Sequence, residues 1–237
     1  MKWAFERLQR YQKRFCMFND DMQGTAGVGL AGLLGTVRAQ GRPLTDFVNQ
    51  KIVVVGAGSA GLGVFNMAAQ AISRMAGAEA SPQFFLLDED GLITTERKGA
   101  GPAAAPFAKA PGEIKGLGLR EGANLVEVVK RVKPRVLLGL SGVGGIFNEQ
   151  VLKAMRESDS PKLAIFAMSN LTVNGSSFKP SKLSIFYLWM HYFSIEHCLF
   201  MLTGTAECTV VDAFNHGGEN IGLVWFVSQD TIFEKNI

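Results

Sequence analysis

The stretch Lys51–Gly63, KIVVVGAGSAGLG, decides the fold of this 237-residue chain. It opens with a short apolar run rich in β-branched residues, which predicts a buried strand. Gly56, Gly58 and Gly61 then form the pattern G-x-G-x-x-G, and apolar residues at helical spacing follow from about Leu62 to Met75. A strand, a glycine-rich turn and a helix in that order are typical of a dinucleotide-binding unit.

The same alternation of strand and helix continues beyond this unit. A second apolar run, FFLLD, ends at Asp88, RVLLGLSGVGG contains a third, and a fourth covers Leu163 to Met168. Two helical patterns lie among them, GANLVEVVKRVKP ending at Pro134 and NEQVLKAMRES beginning with Asn148 as its expected N-cap. Near-continuous apolar strands alternating with helices predict an α/β fold, a doubly wound parallel sheet covered on both faces.

The residues that suggest a ligand site follow the strands, and the carboxyl ends of parallel strands share one edge of a doubly wound sheet. Gly56 permits a tight turn, Gly58 lets a pyrophosphate approach the backbone, and Gly61 lets helix and strand pack closely. The N–H groups at the start of the helix would face the phosphates. The predicted cofactor contacts are Gly56, Gly58, Ser59, Ala60, Gly61, Asp88, Ser141 and Gly142.

Asp88 is the expected acceptor for the hydroxyls of the adenosine ribose. Its charge, with Glu89 and Asp90 beside it, would repel a 2′-phosphate, so the sequence favours NAD over NADP. Arg97 and Lys98 lie close enough in sequence to leave the opposite preference open. The alternative interpretation of Asp88 is an acid of a solvated turn.

Adjacent acids, Asp20 and Asp21, precede a helix expected from about Ala26 to Ala39. Considered by themselves, Asn19 and these acids read as a helix cap with acids in the first turn. One carboxylate could instead bind a hard divalent cation, although Mg²⁺ or Mn²⁺ requires several oxygen ligands.

Composition narrows the possible partners and the compartment. A net charge of +3, with no basic and aromatic cluster, argues against a nucleic-acid partner. Cys16, Cys198 and Cys208 are odd in number and widely spaced, which favours a reducing compartment. The amino-terminal MKWAFERLQRYQKRF could be a mitochondrial presequence, but it contains a glutamate and no serine, so an ordinary amphipathic helix is favoured.

Several motifs together resemble the malic enzyme family, specifically the carboxyl-terminal, NAD-binding half of plant mitochondrial NAD-dependent malic enzymes. The motifs are KWAFERLQRY, FNDDMQGTAGV, AGLLGTVRAQG, KIVVVGAGSAGLG, LLGLSGVGGIFNE and AIFAMSN, and the resemblance covers about Lys2 to Thr172. It implies oxidation of L-malate by NAD, followed by loss of CO₂ to give pyruvate. It also implies a divalent metal, Mg²⁺ or Mn²⁺, that holds the substrate and assists decarboxylation.

The resemblance assigns further roles to individual residues. Asp21 would be a metal ligand, Asp20 would support the general base, and Asn170 would contact the substrate or the nicotinamide ribose. The family also implies the mitochondrial matrix and assembly as a homo-oligomer or with full-length malic enzyme subunits. The expected domains are a helical remnant at 1–49, a Rossmann-like NAD-binding domain at 50–172 and an atypical, irregular segment at 173–237.

The chain departs from the family pattern in two ways. The segment that carries the family's tyrosine acid, lysine base, substrate arginine and other metal carboxylates has no counterpart, so this chain alone is not expected to decarboxylate malate. The alternative is a non-catalytic NAD-binding or subunit-association fragment. Leu171 replaces the family's proline, and residues Val173 to Thr205 interrupt the pattern before AECTVVDAFNHGGENI resumes it at Ala206.

The interruption contains the apolar stretch Leu183–Leu202, LSIFYLWMHYFSIEHCLFML. Internal His and Glu residues make it a poor membrane span, since an acid near the centre of a span costs about 2.5–3.5 kcal/mol on insertion scales. His191, Glu196, His197 and Cys198 lack a recognised metal-ligand spacing. The sequence therefore predicts an inserted block, with neither a membrane span nor a metal site.

Overall fold

One six-stranded sheet lies at the centre of the residues that the computed structural model describes, which are 4–77, 83–160, 162–169 and 221–225. In chain order the strands are β1 (Lys51–Val55), β2 (Gln83–Asp88), β3 (Gly91–Leu92), β4 (Val136–Gly139), β5 (Leu163–Ala167) and β6 (Ile221–Trp225). Across the sheet the order is β3-β2-β1-β4-β5-β6. Neighbouring strands are parallel except that the short β3 runs antiparallel to β2.

Helices cover both faces of this sheet. The α-helices are α1 (Ala4–Tyr11), α2 (Thr25–Ala39), α3 (Ser59–Ala76), α4 (Pro111–Lys115), α5 (Leu125–Val132) and α6 (Glu149–Met155). A π-helical turn at Asp20–Gly24 precedes α2, and two 3₁₀ turns cover Leu44–Asn49 and Ala105–Phe107. The predicted doubly wound α/β fold is confirmed, and the predicted amino-terminal helix forms as α1.

Two cores follow from the alternation of side chains along β1. Ile52 and Val54 belong to the cluster that packs against α2 and α3, whereas Val53 and Val55 belong to the cluster that packs against α5 and α6. Successive residues of a strand point to opposite faces of the sheet, so a strand buried on both faces must be apolar throughout. The unbroken run IVVV is therefore the sequence signature of this central position.

Asparagine caps set where the helices of the second face begin. The Asn124 side chain accepts a hydrogen bond from the Glu127 amide at 3.0 Å, at the start of α5. The Asn148 side chain accepts from the Val151 amide at 3.1 Å, at the start of α6. Each cap satisfies an amide that has no partner within its own helix, and the prediction for Asn148 is confirmed.

The structure differs from the expected irregular tail in one place. Residues Ile221–Trp225 form β6, which pairs in parallel with β5 at the edge of the sheet. An edge strand such as β5 would otherwise present a row of unpaired N–H and C=O groups. The sequence IGLVW has the β-branched and aromatic content that suits a strand. Its local propensity therefore favours the extended conformation that pairing with β5 requires.

The Pro/Ala/Gly stretch from Lys98 to Gly112, which the sequence suggests is a loop, contains a packed segment. Phe107 is buried, and its ring centroid lies 5.1 Å from that of Phe65 on α3 and 6.3 Å from that of Phe84 on β2. Phe65 and Phe84 stack on each other at 4.4 Å. This aromatic cluster anchors the segment because a large apolar ring gains most from leaving water.

Several predictions concern residues outside the part that the structure describes. These include the role of Asn170, the effect of Leu171 and the nature of Val173 to Thr205. None of the helices in the described part has the length and apolar content that crossing a membrane requires. The proposed domain boundaries remain predictions, although α2 and α3 pack in one and the same core.

Candidate dinucleotide site

The turn after β1 lies between the ends of β2 and β4. The Gly56 amide donates to the Leu87 carbonyl oxygen at 2.9 Å, and the Leu140 amide donates to the Val55 carbonyl oxygen at 2.8 Å. A Cβ atom at Gly56 would lie 2.4 Å from the Leu140 carbonyl oxygen, and its φ is +120°. Both the contact and the backbone angle therefore require glycine at this position.

Gly61 and Gly58 are glycines for different reasons. A Cβ at Gly61 would lie 2.0 Å from the Gly56 carbonyl oxygen, so the close packing of α3 on the turn excludes any side chain there. A Cβ at Gly58 would meet nothing within 4 Å, and φ of −81° is open to any residue. Gly58 is also the N-cap of α3, where Ser, Thr, Asp or Asn would stabilise the helix better.

Within the part of the chain that the structure describes, no neighbouring atom accounts for the missing side chain at Gly58. In dinucleotide-binding turns, a glycine at this place lets a pyrophosphate approach the backbone, and this is the role predicted for Gly58. The start of a helix of 18 residues attracts anions through its amides and its dipole. Ser59 and Ala60, two of the predicted cofactor contacts, are the first two residues of this helix.

The turn that carries Asp20 and Asp21 packs directly on α3. The Ser59 hydroxyl donates to Asp21 Oδ2 at 3.0 Å, which links the glycine-rich loop to this carboxylate. One turn further along α3, a Cβ at Gly63 would lie 2.9 Å from the Cα of Met22 and 3.2 Å from the Asp21 carbonyl oxygen. The carboxylate of Asp21 is therefore held beside the loop by two contacts with one helix.

Asn19 caps this turn as predicted. Its side chain accepts from the Met22 amide at 3.0 Å, and its own amide donates to the Gln23 side chain at 3.0 Å. The reciprocal pair satisfies two amides at once, as a capping box does. Asp20 and Asp21 are thus acids of the first turn of this helical segment. Their roles as site residues remain predictions.

Asp88 ends β2 at the same edge of the sheet as Gly56, and Arg97 holds its carboxylate. Arg97 Nη1 donates to Oδ1 and Oδ2 of Asp88 at 2.8 and 2.7 Å, and the Asp90 amide donates to Oδ1 at 3.0 Å. A carboxylate has about four acceptor positions, so these three hydrogen bonds leave room for one more donor, such as a ribose hydroxyl.

The loop after β4 meets Ser169, the second residue after β5. The Gly142 amide donates to the Ser169 hydroxyl at 2.8 Å, and the Val143 amide donates to the Ser141 hydroxyl at 3.1 Å. Gly142 has a φ of +72°, in the region that favours glycine. Ser141 and Gly142 therefore lie where the doubly wound arrangement predicts ligand contacts, next to the end of β1.

Sequence reasoning did not identify Glu121 as part of this site. It lies between α4 and α5, far along the chain from Asp88, yet its carboxylate accepts from Arg97 Nε. It also accepts from the amide and the hydroxyl of Thr94 at 2.7 and 2.6 Å. No local motif surrounds Glu121, so only the packed structure identifies it.

A complete metal centre is not present in the described part of the chain. Across 4–77, 83–160, 162–169 and 221–225, no three His, Cys, Asp or Glu side chains come together as such a centre would require. Carboxylate oxygen suits Mg²⁺ or Mn²⁺, and the role of Asp21 as a metal ligand remains a prediction.

The sheet order, the glycine turn and the helix start define a dinucleotide-binding domain of the Rossmann type. The malic enzyme NAD-binding domain family matches residues 22–181, and the chain belongs to the malic enzyme family. It is 64% identical over 220 residues to the mitochondrial 59 kDa isoform of NAD-dependent malic enzyme from Solanum tuberosum, covering 93% of this chain and 31% of that protein. It is 62% identical to the mitochondrial NAD-dependent malic enzyme 2 of Arabidopsis thaliana, with the same coverage.

Solved structures agree on the fold. The structure of the NAD-dependent malic enzyme from Thermotoga maritima superposes on this chain with a TM-score of 0.61 and 18% sequence identity. The match covers 96% of this chain and 46% of the Thermotoga maritima chain. The chain spans about a third of the length of these two curated relatives. Activity, substrate and partners of the whole protein are therefore matters of proposal.

Proposed function

We propose that this chain binds NAD along the carboxyl edge of its sheet and serves the oxidative decarboxylation of L-malate to pyruvate. One observation carries the proposal, the empty space beside Gly58, where a side chain would fit without contact within 4 Å. A glycine that neither backbone angle nor packing requires, at the start of a long helix, is accounted for by a pyrophosphate. The names of the relatives from Solanum tuberosum and Arabidopsis thaliana support NAD as the dinucleotide.

Each residue of the site has a part in this proposal. The amides of Ser59 and Ala60 bind the pyrophosphate, Gly56 and Gly61 shape the turn, and Asp88 accepts from the adenosine ribose. These residues would hold NAD, which when bound would supply the hydride acceptor for oxidation at C2 of L-malate. Ser141 and Gly142 lie after β4 at the carboxyl edge of the sheet, beside the glycine-rich loop, and would contact the part of NAD between the pyrophosphate and the nicotinamide.

The remaining assignments rest on the family resemblance. Asp21 would supply one ligand to Mg²⁺ or Mn²⁺. The hydrogen bond from the Ser59 hydroxyl supports this, because it holds the Asp21 carboxylate beside the glycine-rich loop. Asp20 would support the general base, and Asn170 would contact the substrate or the nicotinamide ribose. The relatives named mitochondrial support the mitochondrial matrix as the compartment.

A second candidate function is a non-catalytic module that binds NAD or associates with full-length malic enzyme subunits. The exposed apolar side chains just before Asp20 favour it, since Phe15 and Phe18 are 63% and 67% exposed and Met17 lies between them. Adjacent exposed apolar residues are typical of contact surfaces. Mixing the chain with a full-length subunit and measuring mass by light scattering would detect this association.

The test of the main proposal is a fluorescence titration of the purified chain with NADH. We expect saturable binding that falls at least tenfold in Gly58→Val, because the side chain displaces the pyrophosphate. Gly35→Ala is the matched control, since a Cβ at this α2 position also meets nothing within 4 Å. Equal binding by Gly58→Val and the unaltered chain would refute the proposed site.

Turnover separates the two candidate functions. Because the chain by itself is not expected to turn over malate, the enzyme candidate predicts a rise in NADH absorbance with L-malate, NAD and Mn²⁺ only when a second chain supplies the family's acid, base and other metal carboxylates, and this rise should be lost in Asp21→Asn. Retained NADH binding without turnover favours the binding module. Turnover that survives Asp21→Asn would contradict the metal role of this carboxylate.

A further inference from the structure

Arg97 lies at the centre of a cluster of carboxylates near the end of β2. Its Nη1 donates to both oxygens of Asp88, and its Nε donates to Glu121. Asp90 Oδ2 lies 3.7 Å from Nη1. The hydrogen bonds of Nη2 go to the backbone carbonyl oxygens of Asp90, Gly91 and Leu92 at 3.4, 3.5 and 3.2 Å. Only 12% of the side chain is exposed, so its five donors are directed inward.

Glu121 is itself fixed from the other side. Thr94, which is 1% exposed, donates to one Glu121 oxygen through both its amide and its hydroxyl. Burial alone would raise the pKa of Glu121, but the hydrogen bonds from Thr94 and Arg97 outweigh burial and hold the pKa below its ordinary value of 4.5. Glu121 is therefore ionised at neutral pH and holds the guanidinium through Nε while Nη1 stays on Asp88.

The charges of this cluster bear on which dinucleotide can bind. Asp88, Asp90 and Glu121 contribute three negative charges and Arg97 one positive charge, which leaves a net charge of −2. An arginine near the ribose accommodates a 2′-phosphate only when its donors can reach it. Here the guanidinium is held by two carboxylates and three carbonyl oxygens, so its charge is neutralised and its donors are occupied.

We propose that Glu121 is a positioning residue that determines cofactor specificity, by keeping Arg97 on Asp88 and away from a 2′-phosphate. Glu121 touches neither the ribose nor the phosphate in this arrangement and acts entirely through Arg97. The proposal rests on the proposed function, because it requires the adenosine ribose at Asp88. It also explains why an arginine nine positions after Asp88 does not by itself indicate NADP.

The test compares the dissociation constants of NADH and NADPH, measured by fluorescence titration for the unaltered chain and for Glu121→Gln. The substitution preserves shape, removes one negative charge and leaves a single acceptor oxygen, for which Thr94 and Arg97 Nε must compete, so the hold on Arg97 weakens. We expect the affinity for NADPH relative to NADH to rise about tenfold or more, the effect of one additional charge-assisted hydrogen bond. Glu157→Gln removes an equal charge at an exposed position after α6 and should leave the ratio unchanged.

A double variant separates the action of Arg97 from a general effect of charge. In Glu121→Gln with Arg97→Met the gain in NADPH affinity should disappear, since no guanidinium remains to bind the 2′-phosphate. A gain that persists in the double variant would overturn the role of Arg97, and an unchanged ratio in Glu121→Gln would overturn the inference.

Two further measurements distinguish failure of this inference from misfolding of the variant and from failure of the proposed function. If Glu121→Gln does not fold, Thr94→Val provides the second measurement, because it removes the hydroxyl that fixes Glu121 and should raise the ratio by a smaller factor. An unchanged ratio in that variant would count against the inference. Failure of the unaltered chain to bind NADH would refute the proposed function, and the inference with it.

Discussion

A single added methyl group should have opposite consequences at two positions three residues apart. Gly61→Ala and Gly58→Ala make the same chemical change in the same loop. At Gly61 the new Cβ would lie 2.0 Å from a backbone carbonyl oxygen, whereas at Gly58 it would meet nothing within 4 Å. We expect the first variant to lose stability and the second to lose dinucleotide binding alone.

The magnitudes follow from these distances. Side-chain carbons rarely approach other atoms closer than 3.0 Å, so Gly61→Ala must move α3 or the turn by about 1 Å. Overpacking costs about 1–3 kcal/mol and occasionally more, and a rigid backbone partner favours the upper end. Near 3 kcal/mol, the melting temperature should fall by about 6–12 °C for a domain of this size.

Gly58→Ala should change stability by less than about 1 kcal/mol. Alanine is a poorer N-cap than glycine, which costs a few tenths to about 1 kcal/mol. Fewer conformations in the unfolded chain offset this by about 0.4–1 kcal/mol. Binding should suffer instead, since losing one hydrogen bond to a charged phosphate costs about 1.5–3 kcal/mol, or about 10–150-fold in dissociation constant.

The assay pairs thermal unfolding, followed by circular dichroism, with NADH titration of each variant below its melting transition. Comparable losses of stability in the two variants would show that Gly58 serves the fold. Unchanged NADH affinity in a stable Gly58→Ala would show that no phosphate approaches this residue. Either result refutes the reasoning.

Three further predictions concern charge and packing. Asp88→Asn should weaken NADH binding about 10–150-fold, because the ribose loses a charged acceptor. The control Asp90→Asn changes an acid that is 78% exposed and should alter NADH binding little. Equal losses of affinity in the two variants by titration would contradict a contact between Asp88 and the ribose. The lowered pKa of Glu121 stabilises the fold fully above the ordinary value of 4.5, and this contribution is lost as pH falls through the lowered pKa. Urea unfolding from pH 7 to pH 3 should accordingly show a shallower loss of stability in Glu121→Gln, and equal slopes would contradict the linkage. Phe65→Ala should lower the free energy of unfolding in urea by about 3–5 kcal/mol, because the ring is fully buried in the aromatic cluster. Phe15→Ala, at an exposed ring, should lower it by under about 1 kcal/mol. Similar losses in the two variants would contradict the role of the aromatic cluster in the core.

Much of this fold could be predicted because its signals are local. The run IVVV in β1, the glycine spacing that follows it and the caps at Asn19 and Asn148 each depend on residues within a few positions of one another. A central strand must be apolar on both faces, and a helix start needs an acceptor for its first amides. These requirements hold wherever the strand and the helix lie in the molecule.

The carboxyl edge of the sheet was also predictable in outline. Parallel strands place their carboxyl ends together whatever their order, so Gly56, Asp88 and Ser141 could be assigned to one edge from the sequence. The apolar run Ile221–Trp225 showed strand composition, but neighbouring residues do not determine whether such a run finds an open edge. Its pairing with β5 required the finished sheet.

Only the tertiary structure decided which side chains meet at that edge. Ser59 donates to Asp21, and Arg97 joins Asp88 to Glu121, across 38, 9 and 24 positions of sequence. These contacts depend on how the turn before α2 packs against α3 and on how the chain returns from α4 to the end of β2. Hydrophobic periodicity specifies which face of an element is buried but not which polar groups converge where elements end. Sequence therefore determined the scaffold and its ligand-binding edge, and long-range packing determined the charge arrangement that we propose selects the ligand.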